Sequence, residues 1–260
     1  MKILLTNDDG IWAVGLRALY KAFKKEGFDV CVVAPLNQQS AVGHAVTLMS
    51  PIRVKEIKEN HFEGIGVKGT PVDCIKFALS TLFKEKKVDL VVSGINNGAN
   101  VGIDVLYSAT VAAATEAALL NIPAISASVD CFNPTNLDEQ ANFIVNIVKN
   151  FNLKEILSQK ILNINFPNRP LSKCKGVKIC PQTKAIYKDW YEKRIDPRGV
   201  PYYWLCGEIP PENLEPDSDR YLLTEGYITI TPLKFDLTDY DLIKKLSETE
   251  FSTLIKNKIF

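Results

Sequence analysis

The sequence predicts an α/β fold, a Rossmann-like, doubly wound, mostly parallel sheet with a C-terminal β-hairpin and helix extension. Three observations carry that prediction. Apolar runs of strand length recur, among them Ile3-Leu4-Leu5, Val30-Cys31-Val32-Val33, Leu90-Val91-Val92 and Ala124-Ile125. Unbroken apolarity of this kind suits strands buried on both faces of a parallel sheet. Stretches with apolar residues at helical spacing separate the runs, as crossover connections require. Polar loops follow the runs, so their oxygen-bearing side chains gather at the carboxyl edge of the sheet, where open α/β folds bind ligands.

The first strand and its loop organise the rest. In Met1-Lys2-Ile3-Leu4-Leu5-Thr6-Asn7-Asp8-Asp9-Gly10 the apolar run stops at Asn7, which leaves Asp8 and Asp9 at the end of a central strand. Two adjacent carboxylates there are costly in isolation and useful if a cation neutralises them. The alternative is a solvated turn whose Asn and Asp only cap the next helix. Leu16, Leu19, Tyr20 and Phe23 then recur at helical spacing, with Gly27 as a stop. The run from Val30 to Pro35 is the second strand, and it exits into a polar loop at residues 37–44 that holds Ser40, Gly43 and His44. Residues 45–67 contain three short strand-like runs, at 45–48, 52–54 and 65–67, and suggest a small antiparallel excursion.

Gly69-Thr70-Pro71-Val72-Asp73 places Thr at an N-cap, Pro at the first helical position and an acid at the third. Ile75, Ala78, Leu79, Leu82 and Phe83 continue that helix. Leu90-Val91-Val92 is the next strand, and a glycine-rich loop at residues 93–102 follows it with Asn96, Asn97 and Asn100. Residues 107–120 read as a helix of small residues suited to close packing. A strand at 124–127, a helix at about 138–150 and a strand at 161–165 complete the alternation.

After Pro167 the character changes. Tyr187, Trp190, Tyr191, Tyr202, Tyr203 and Trp204 flank the turn signal Asp196-Pro197-Arg198-Gly199, which predicts a protruding hairpin. An isolated hairpin is marginal in water, so this aromatic arm is expected to pack on its own domain or on another subunit. Residues 227–231 return to strand character and 239–256 read as a terminal helix with Leu242, Ile243, Leu246, Phe251, Leu254 and Ile255. The expected division is a catalytic core at 1–180, an oligomerisation arm at 181–226 and a returning strand and helix at 227–260.

Bulk properties exclude several classes. The 260 residues are 46% apolar and 23% charged, a globular composition, and no apolar run is long enough to span a bilayer. A net charge of +1 gives no polyelectrolyte signature, so neither DNA nor a membrane surface is an expected partner. Cys31, Cys74, Cys131, Cys174, Cys180 and Cys206 lack CxxC spacing and read as reduced core residues, neither a disulfide frame nor a zinc site. With no signal-peptide pattern at the start, a cytoplasmic location is expected.

Asp8, Asp9, Ser40, Asn96, Asn97 and Asn100 lie in three loops of one sheet edge. Carboxylate, hydroxyl and amide oxygens without His or Cys suit Mg²⁺ or Mn²⁺ far better than zinc or copper. Three rival readings compete. A nicotinamide site needs glycines where this turn has two carboxylates that would repel a pyrophosphate. An aspartyl-nucleophile phosphatase needs a second acid two residues from the first, whereas Asp8 and Asp9 are adjacent. A stress-linked interaction protein using its arm is the non-enzymatic alternative. His44 is a candidate proton donor to a leaving group, although a lone loop His is more often a surface residue. His61 reads as solvated, and Lys68 and Lys76 as solvent-facing lysines at a helix end or candidate phosphate contacts.

The motif set resembles the SurE, or survival-protein E, nucleotidases, a family of metal-dependent 5′/3′-nucleotidases. The resemblance rests on Asn7-Asp8-Asp9-Gly10, Ser40, Gly69-Thr70-Pro71 with Asp73-Cys74, and Ser93-Gly94-Ile95-Asn96 with Gly98 and Asn100. Tyr107-Ser108 with Thr110-Val111, Asn163-Ile164-Asn165 and Glu225-Gly226-Tyr227 with Thr229-Ile230-Thr231-Pro232 extend it almost to the end. It implies one divalent metal ion per subunit held by Asp8, Asp9, Ser40 and Asn96, with Asp8 and Asp9 also catalytic. It places Asn100, Ser108 and Thr110 near the phosphate, with Gly43 and His44 as further substrate-side candidates from the neighbouring loop. The implied activity is metal-assisted hydrolysis of nucleoside 5′- and 3′-monophosphates by an activated water, in a homo-oligomer, dimer or tetramer, built through the C-terminal arm. Ala99 and Ala109 depart from the usual Pro and Gly of the family, which bears on substrate preference more than on reaction type.

Overall fold

The computed structural model describes residues 1–249 of the chain. In order its elements are β1 (Lys2–Thr6), α1 (Val14–Lys25), β2 (Asp29–Pro35), β3 (Arg53–Glu59), β4 (Phe62–Lys68), α2 (Pro71–Phe77), β5 (Leu90–Asn97), α3 (Asp104–Tyr107), α4 (Ala109–Leu119) and β6 (Ala124–Val129). There follow α5 (Asp138–Asn150), α6 (Leu153–Ile156), β7 (Ile161–Phe166), β8 (Val177–Ile179), β9 (Lys188–Ile195), β10 (Pro201–Glu208), α7 (Asp219–Glu225), β11 (Ile228–Leu233) and α8 (Tyr240–Ser247). A nine-stranded sheet has the order β3-β4-β2-β1-β5-β6-β7-β11-β8. Pairing is parallel except between β3 and β4 and between β7 and β11. The doubly wound, mostly parallel α/β architecture predicted from the sequence is therefore present.

β1 pairs in parallel with β2 on one side and β5 on the other. The chain runs outward from β1 to β2 and later returns to the opposite side at β5, so the carboxyl end of β1 is the point where strand order reverses. Loops diverge at such a point and open a crevice. The two faces of β1 belong to different halves of the core, as the two-residue period of a strand demands. Ile3 and Leu5 pack with Leu16, Leu19 and Phe23 of α1 and with Ile144 of α5. Leu4 faces Cys74 and Ile75 of α2 and the small residues Val111, Ala114 and Ala117 of α4. Close approach matters on both sides. A Cβ at Gly15 would stand 2.0 Å from the Ile95 carbonyl oxygen, so only glycine lets α1 lie this near β5.

The predicted Thr70 N-cap is present as a full capping box. Thr70 Oγ1 accepts from the Asp73 amide at 3.1 Å, and the Thr70 amide donates to Asp73 Oδ2 at 2.8 Å. The same Asp73 carboxylate takes two bonds from Thr47, from the amide at 2.9 Å and from Oγ1 at 2.6 Å. These bonds hold residues 45–48 as an irregular segment, where a strand was expected. The excursion also differs from its prediction in placement. β3 and β4 are antiparallel to each other, but β4 pairs in parallel with β2, so the hairpin extends the main sheet.

Residues 93–97, read as loop from their Gly and Asn content, continue β5. Asn96 pairs with Ser128 and Asn97 with Val129 across an irregular register, and the peptide bond between Gly94 and Ile95 is cis. The helix expected at 107–120 is divided, with α3 ending at Tyr107 and α4 opening after Ser108. β9 and β10 pair antiparallel as their own two-stranded sheet around the predicted turn, and nearly every residue of both is exposed. Thr183, Ala185, Leu222 and Leu223, outside the hairpin proper, are buried. The terminal helix starts where predicted, capped by Asp239, whose carboxylate accepts from the Leu242 amide at 2.8 Å. Its expected continuation to 256, with Phe251, Leu254 and Ile255, lies outside the described residues.

Candidate functional site

Asp8 is set by β1 and buried, at 3% exposure. Its main-chain oxygen accepts from the Gln39 amide at 2.7 Å, which draws the loop after β2 against it. Its Oδ1 accepts from Thr110 Oγ1, in the first turn of α4, at 2.5 Å. Asp9 is half-buried, and its Oδ2 accepts from the Asn97 amide at 3.0 Å. Two neighbouring acids thus tie together the ends of β1 and β5, the start of α4 and the loop bearing Ser40. Burial is the main reason that the Asp8 carboxyl is pushed up to about 6; the Thr110 hydrogen bond opposes the rise and the Asp9 charge adds to it. Burial also raises Asp9, against the pull of the Asn97 amide. Among the described residues, no ion pair reaches either acid.

Asn96 is buried at the end of β5, and its Nδ2 donates to the Gly98 carbonyl at 2.8 Å, which leaves Oδ1 as the uncommitted atom. Ser40 is exposed, and its hydroxyl accepts from Gln38 Nε2 at 2.9 Å. Asn7 Oδ1, Ser93 Oγ and Asn97 Oδ1 are buried without a hydrogen-bond partner. Orphaned buried oxygens of this kind are rare in native proteins. Among the described residues no three His, Cys, Asp or Glu side chains converge as a metal cluster. The set here is two carboxylates with neutral oxygens around them. Uncompensated acids beside orphaned oxygens fit a hard divalent cation and its water shell, and they fit neither zinc nor an anion.

The phosphate-side candidates fall into two groups. Ser108 is the N-cap of α4, accepting from the Val111 amide at 3.1 Å, and the Thr110 hydroxyl is spent on Asp8. The positive end of α4 therefore opens beside the two acids. Asn100 is locked into a buried amide network. Its amide donates to Asn165 Oδ1 at 2.8 Å, its Nδ2 donates to Ser128 Oγ at 2.7 Å, and its carbonyl accepts from Asn163 and Asn165. Gly43 donates its amide to the Tyr107 carbonyl at 2.9 Å, so the Ser40 loop is fastened to the residue preceding the α4 cap.

His44 meets a partner that sequence reading missed. Its Nε2 lies 2.8 Å from Glu116 Oε2, and Lys76 Nζ lies 2.6 Å from the other oxygen of Glu116. Glu116 is buried, and the His44 hydrogen bond is the leading cause that holds its carboxyl below the ordinary range. The geometry makes His44 a strut between the Ser40 loop and α4, and it takes Lys76 out of the set of free cations. One acid inside an alanine-rich helix was the only signal available for Glu116. Asp219 was missed as well. It is fully buried and accepts from the amides of Gly102 at 2.9 Å, Thr183 at 2.8 Å and Arg220 at 2.7 Å. The loop beyond Asn96 is thereby clamped to the base of the arm. A cavity of about 1100 Å³ opens at the opposite edge of the sheet, lined by Met1, Lys76, Phe83 and Phe151; Asp8, Asp9, Ser40, Asn96, Asn100, Ser108 and Thr110 do not line it.

The chain matches known proteins over nearly its whole length. The family model described as "Survival protein SurE" matches residues 3–189. The 5′-nucleotidase SurE of Solidesulfovibrio magneticus is 56% identical over 239 residues, 92% of this chain and 93% of its own. The 5′-nucleotidase SurE of Maridesulfovibrio salexigens is 53% identical over 249 residues, 96% of this chain and 99% of its own. Among solved structures, the SurE protein from Aquifex aeolicus superposes with a TM-score of 0.80 at 39% identity, over 95% of this chain and 98% of that one. Matches of this identity and coverage, on a chain whose paired acids stand at the switch point of a doubly wound sheet, show that it belongs to the survival protein SurE family.

Proposed function

We propose that this chain is a divalent-metal-dependent 5′-nucleotidase that hydrolyses nucleoside 5′- and 3′-monophosphates to a nucleoside and phosphate. The observation that carries the reading is the Asp8–Asp9 pair, buried or half-buried at the end of β1 with no cationic partner among the described residues. Asp8, Asp9, Ser40 and Asn96 would hold one Mg²⁺ or Mn²⁺ ion per subunit. Bound there, such an ion supplies Lewis-acid polarisation of the phosphate ester and charge neutralisation.

The chain's own residues do the rest. Asp8 is fixed by Thr110 and stays in place as a ligand. Asp9, the less buried acid, has one oxygen on the Asn97 amide and uses the other to orient the attacking water. The first turn of α4, opened by Ser108, faces the phosphate oxygens with the positive end of its helix. Phosphate released from AMP in the presence of Mn²⁺, lost with a chelator and regained on adding metal back, is the expected result. No release with either metal, from folded protein, would return the chain to the alternative of a stress-linked interaction protein.

The same reading assigns the fold a core at 1–180, an arm at 181–226 and a returning segment at 227–260. The arm and α8 make it a homo-oligomer, dimer or tetramer. The solvent-facing rings of Trp190, Tyr191, Tyr203 and Trp204, with Leu242 and Ile243 of α8, support this, since apolar surface of that extent marks a subunit contact. Sedimentation at micromolar concentration is expected to give an oligomer; a fully active monomer would overturn it. None of the helices among the described residues is long and apolar enough to cross a membrane. All six cysteines are free, Cys74 and Cys180 in the core as expected and the other four only half-buried, and free thiols support placement in a reducing compartment, the cytoplasm.

A further inference from the structure

We propose that Phe132 is the platform on which the nucleobase of the substrate stacks, an inference that rests on the nucleotidase reading above. A single exposed aromatic needs no explanation by itself. What carries this one is where the chain puts it and how firmly. Phe132 follows β6 and is 81% exposed, at the same edge of the sheet as Asp8 and Asp9. One part of its ring rests on Gly98, where an added Cβ would stand 3.2 Å from Cε1 and 3.5 Å from Cδ1. Glycine at 98, with φ near +102°, therefore lets the ring lie against the main chain at the end of β5.

Gly98 is also the link to the chemistry. Its carbonyl accepts from Asn96 Nδ2 at 2.8 Å, so the ring sits one hydrogen bond away from a candidate metal ligand. Its amide donates to the carbonyls of Val129 at 2.9 Å and Cys131 at 3.0 Å, which straps the segment bearing Phe132 onto β5. The Asp130 amide donates to the Phe166 carbonyl at 2.8 Å and fixes the same segment to β7. The backbone under the ring is thus held from two strands, while most of the ring meets water. A rigid aromatic with an open face is a low-entropy surface for another flat π-system.

A nucleoside monophosphate whose phosphate lies between the two acids and the start of α4 carries its base one ribose away, over the rim of that crevice. Phe132 is an exposed ring set on that rim through Gly98, whose carbonyl Asn96 holds. Stacking reads no hydrogen-bonding edge, so purines and pyrimidines are both accepted, with purines favoured by their larger face. The chemistry recognised is thus a phosphate monoester bearing an aromatic base.

The test compares AMP with ribose 5-phosphate, the same ester without a base, using Mn²⁺-loaded full-length protein. Phe132→Ala is expected to lower kcat/KM for AMP on the order of tenfold, mainly through KM, and to leave ribose 5-phosphate within about twofold of wild type. Phe132→Trp is expected to restore AMP. An equal loss on both substrates, or no loss on AMP, would overturn the stacking role. Failure of wild-type protein to cleave either substrate is a separate result, and it would overturn the nucleotidase reading beneath the proposal.

Discussion

Replacing Asp8 by Asn is expected to lower phosphate release on the order of a thousandfold or more, and to make the metal-free protein more stable at pH 8. The activity loss follows from the proposed ligand set. With two carboxylates and otherwise neutral oxygens, removing one charge halves the attraction for a dication. The stability gain follows from burial. In the folded chain the Asp8 carboxyl stands at about 6 against an ordinary 3.8, so the folded state binds that proton more tightly than the unfolded state does. Its contribution to stability is complete below the ordinary carboxylate value and is lost as pH rises to about 6. Above that pH the ionised, unpaired Asp8 costs the metal-free fold on the order of 2–3 kcal/mol. Asn retains an oxygen for the Thr110 hydroxyl and carries no charge. Melting in a chelator should show the variant above wild type at pH 8 and level with it near pH 4. Wild-type stability equal to that of the variant at pH 8 would mean that the chain itself already compensates the charge. Asp9→Asn is expected to match the activity loss with a smaller gain in stability, because Asp9 is less buried.

Where periodicity and local chemistry agree, the fold was legible. Ile3-Leu4-Leu5 is a buried strand, and α2 begins at Pro71 after a Thr70 cap whose partner Asp73 is visible three residues on. Helix α5 occupies 138–150 as its spacing predicts. What failed was local propensity overruled by pairing. Gly94, Asn96 and Asn97 are poor strand formers, yet they extend β5 because β6 supplies Ser128 and Val129 alongside them. Residues 45–48 look like a strand, yet side-chain bonds from Thr47 to Asp73 compete for the backbone and win. The place of β4 beside β2 could not be read at all, because nothing in a single strand states which neighbour it will have.

The candidate site divides in the same way. Asp8, Asp9 and Ser40 follow strand ends and Asn96 lies at the end of β5, and topology alone puts strand ends at one edge. Their supports come from afar. Thr110 reaches Asp8 from 102 residues along the chain, and Glu116 reaches His44 from 72. Neither pairing leaves a mark in local composition. His44 in particular could be seen as a loop histidine but not as one whose ring is already engaged.

Asp219 shows how much can rest on such a distant contact, and Asp219→Ala is expected to cost about 2–4 kcal/mol of stability. The side chain is fully buried, and its two oxygens take the amides of Gly102, Thr183 and Arg220. Alanine leaves the Gly102 and Thr183 donors buried without acceptors, and an abandoned donor costs more than a bond contributes. Function should suffer with stability. Gly102 ends the segment that begins at Asn96, and Asp104 two residues on binds both Tyr187 at the base of the arm and Arg220. Releasing Gly102 frees the loop between a candidate ligand and the Ser108 cap, so kcat/KM should fall on the order of tenfold even where the protein remains folded. Asp219→Asn keeps one acceptor but turns an NH₂ group toward an N–H donor, and an intermediate effect is expected. Glu215→Ala is the control, because half-buried Glu215 accepts from Thr183 Oγ1 and the Lys184 amide within the arm and bonds nothing between Asn96 and Ser108. It should cost about 1 kcal/mol or less. Urea midpoints and phosphate release measured on the three variants decide the matter. A wild-type midpoint for Asp219→Ala, or equal losses for Asp219→Ala and Glu215→Ala, would show that the segment from Asn96 to Ser108 holds its shape without the clamp.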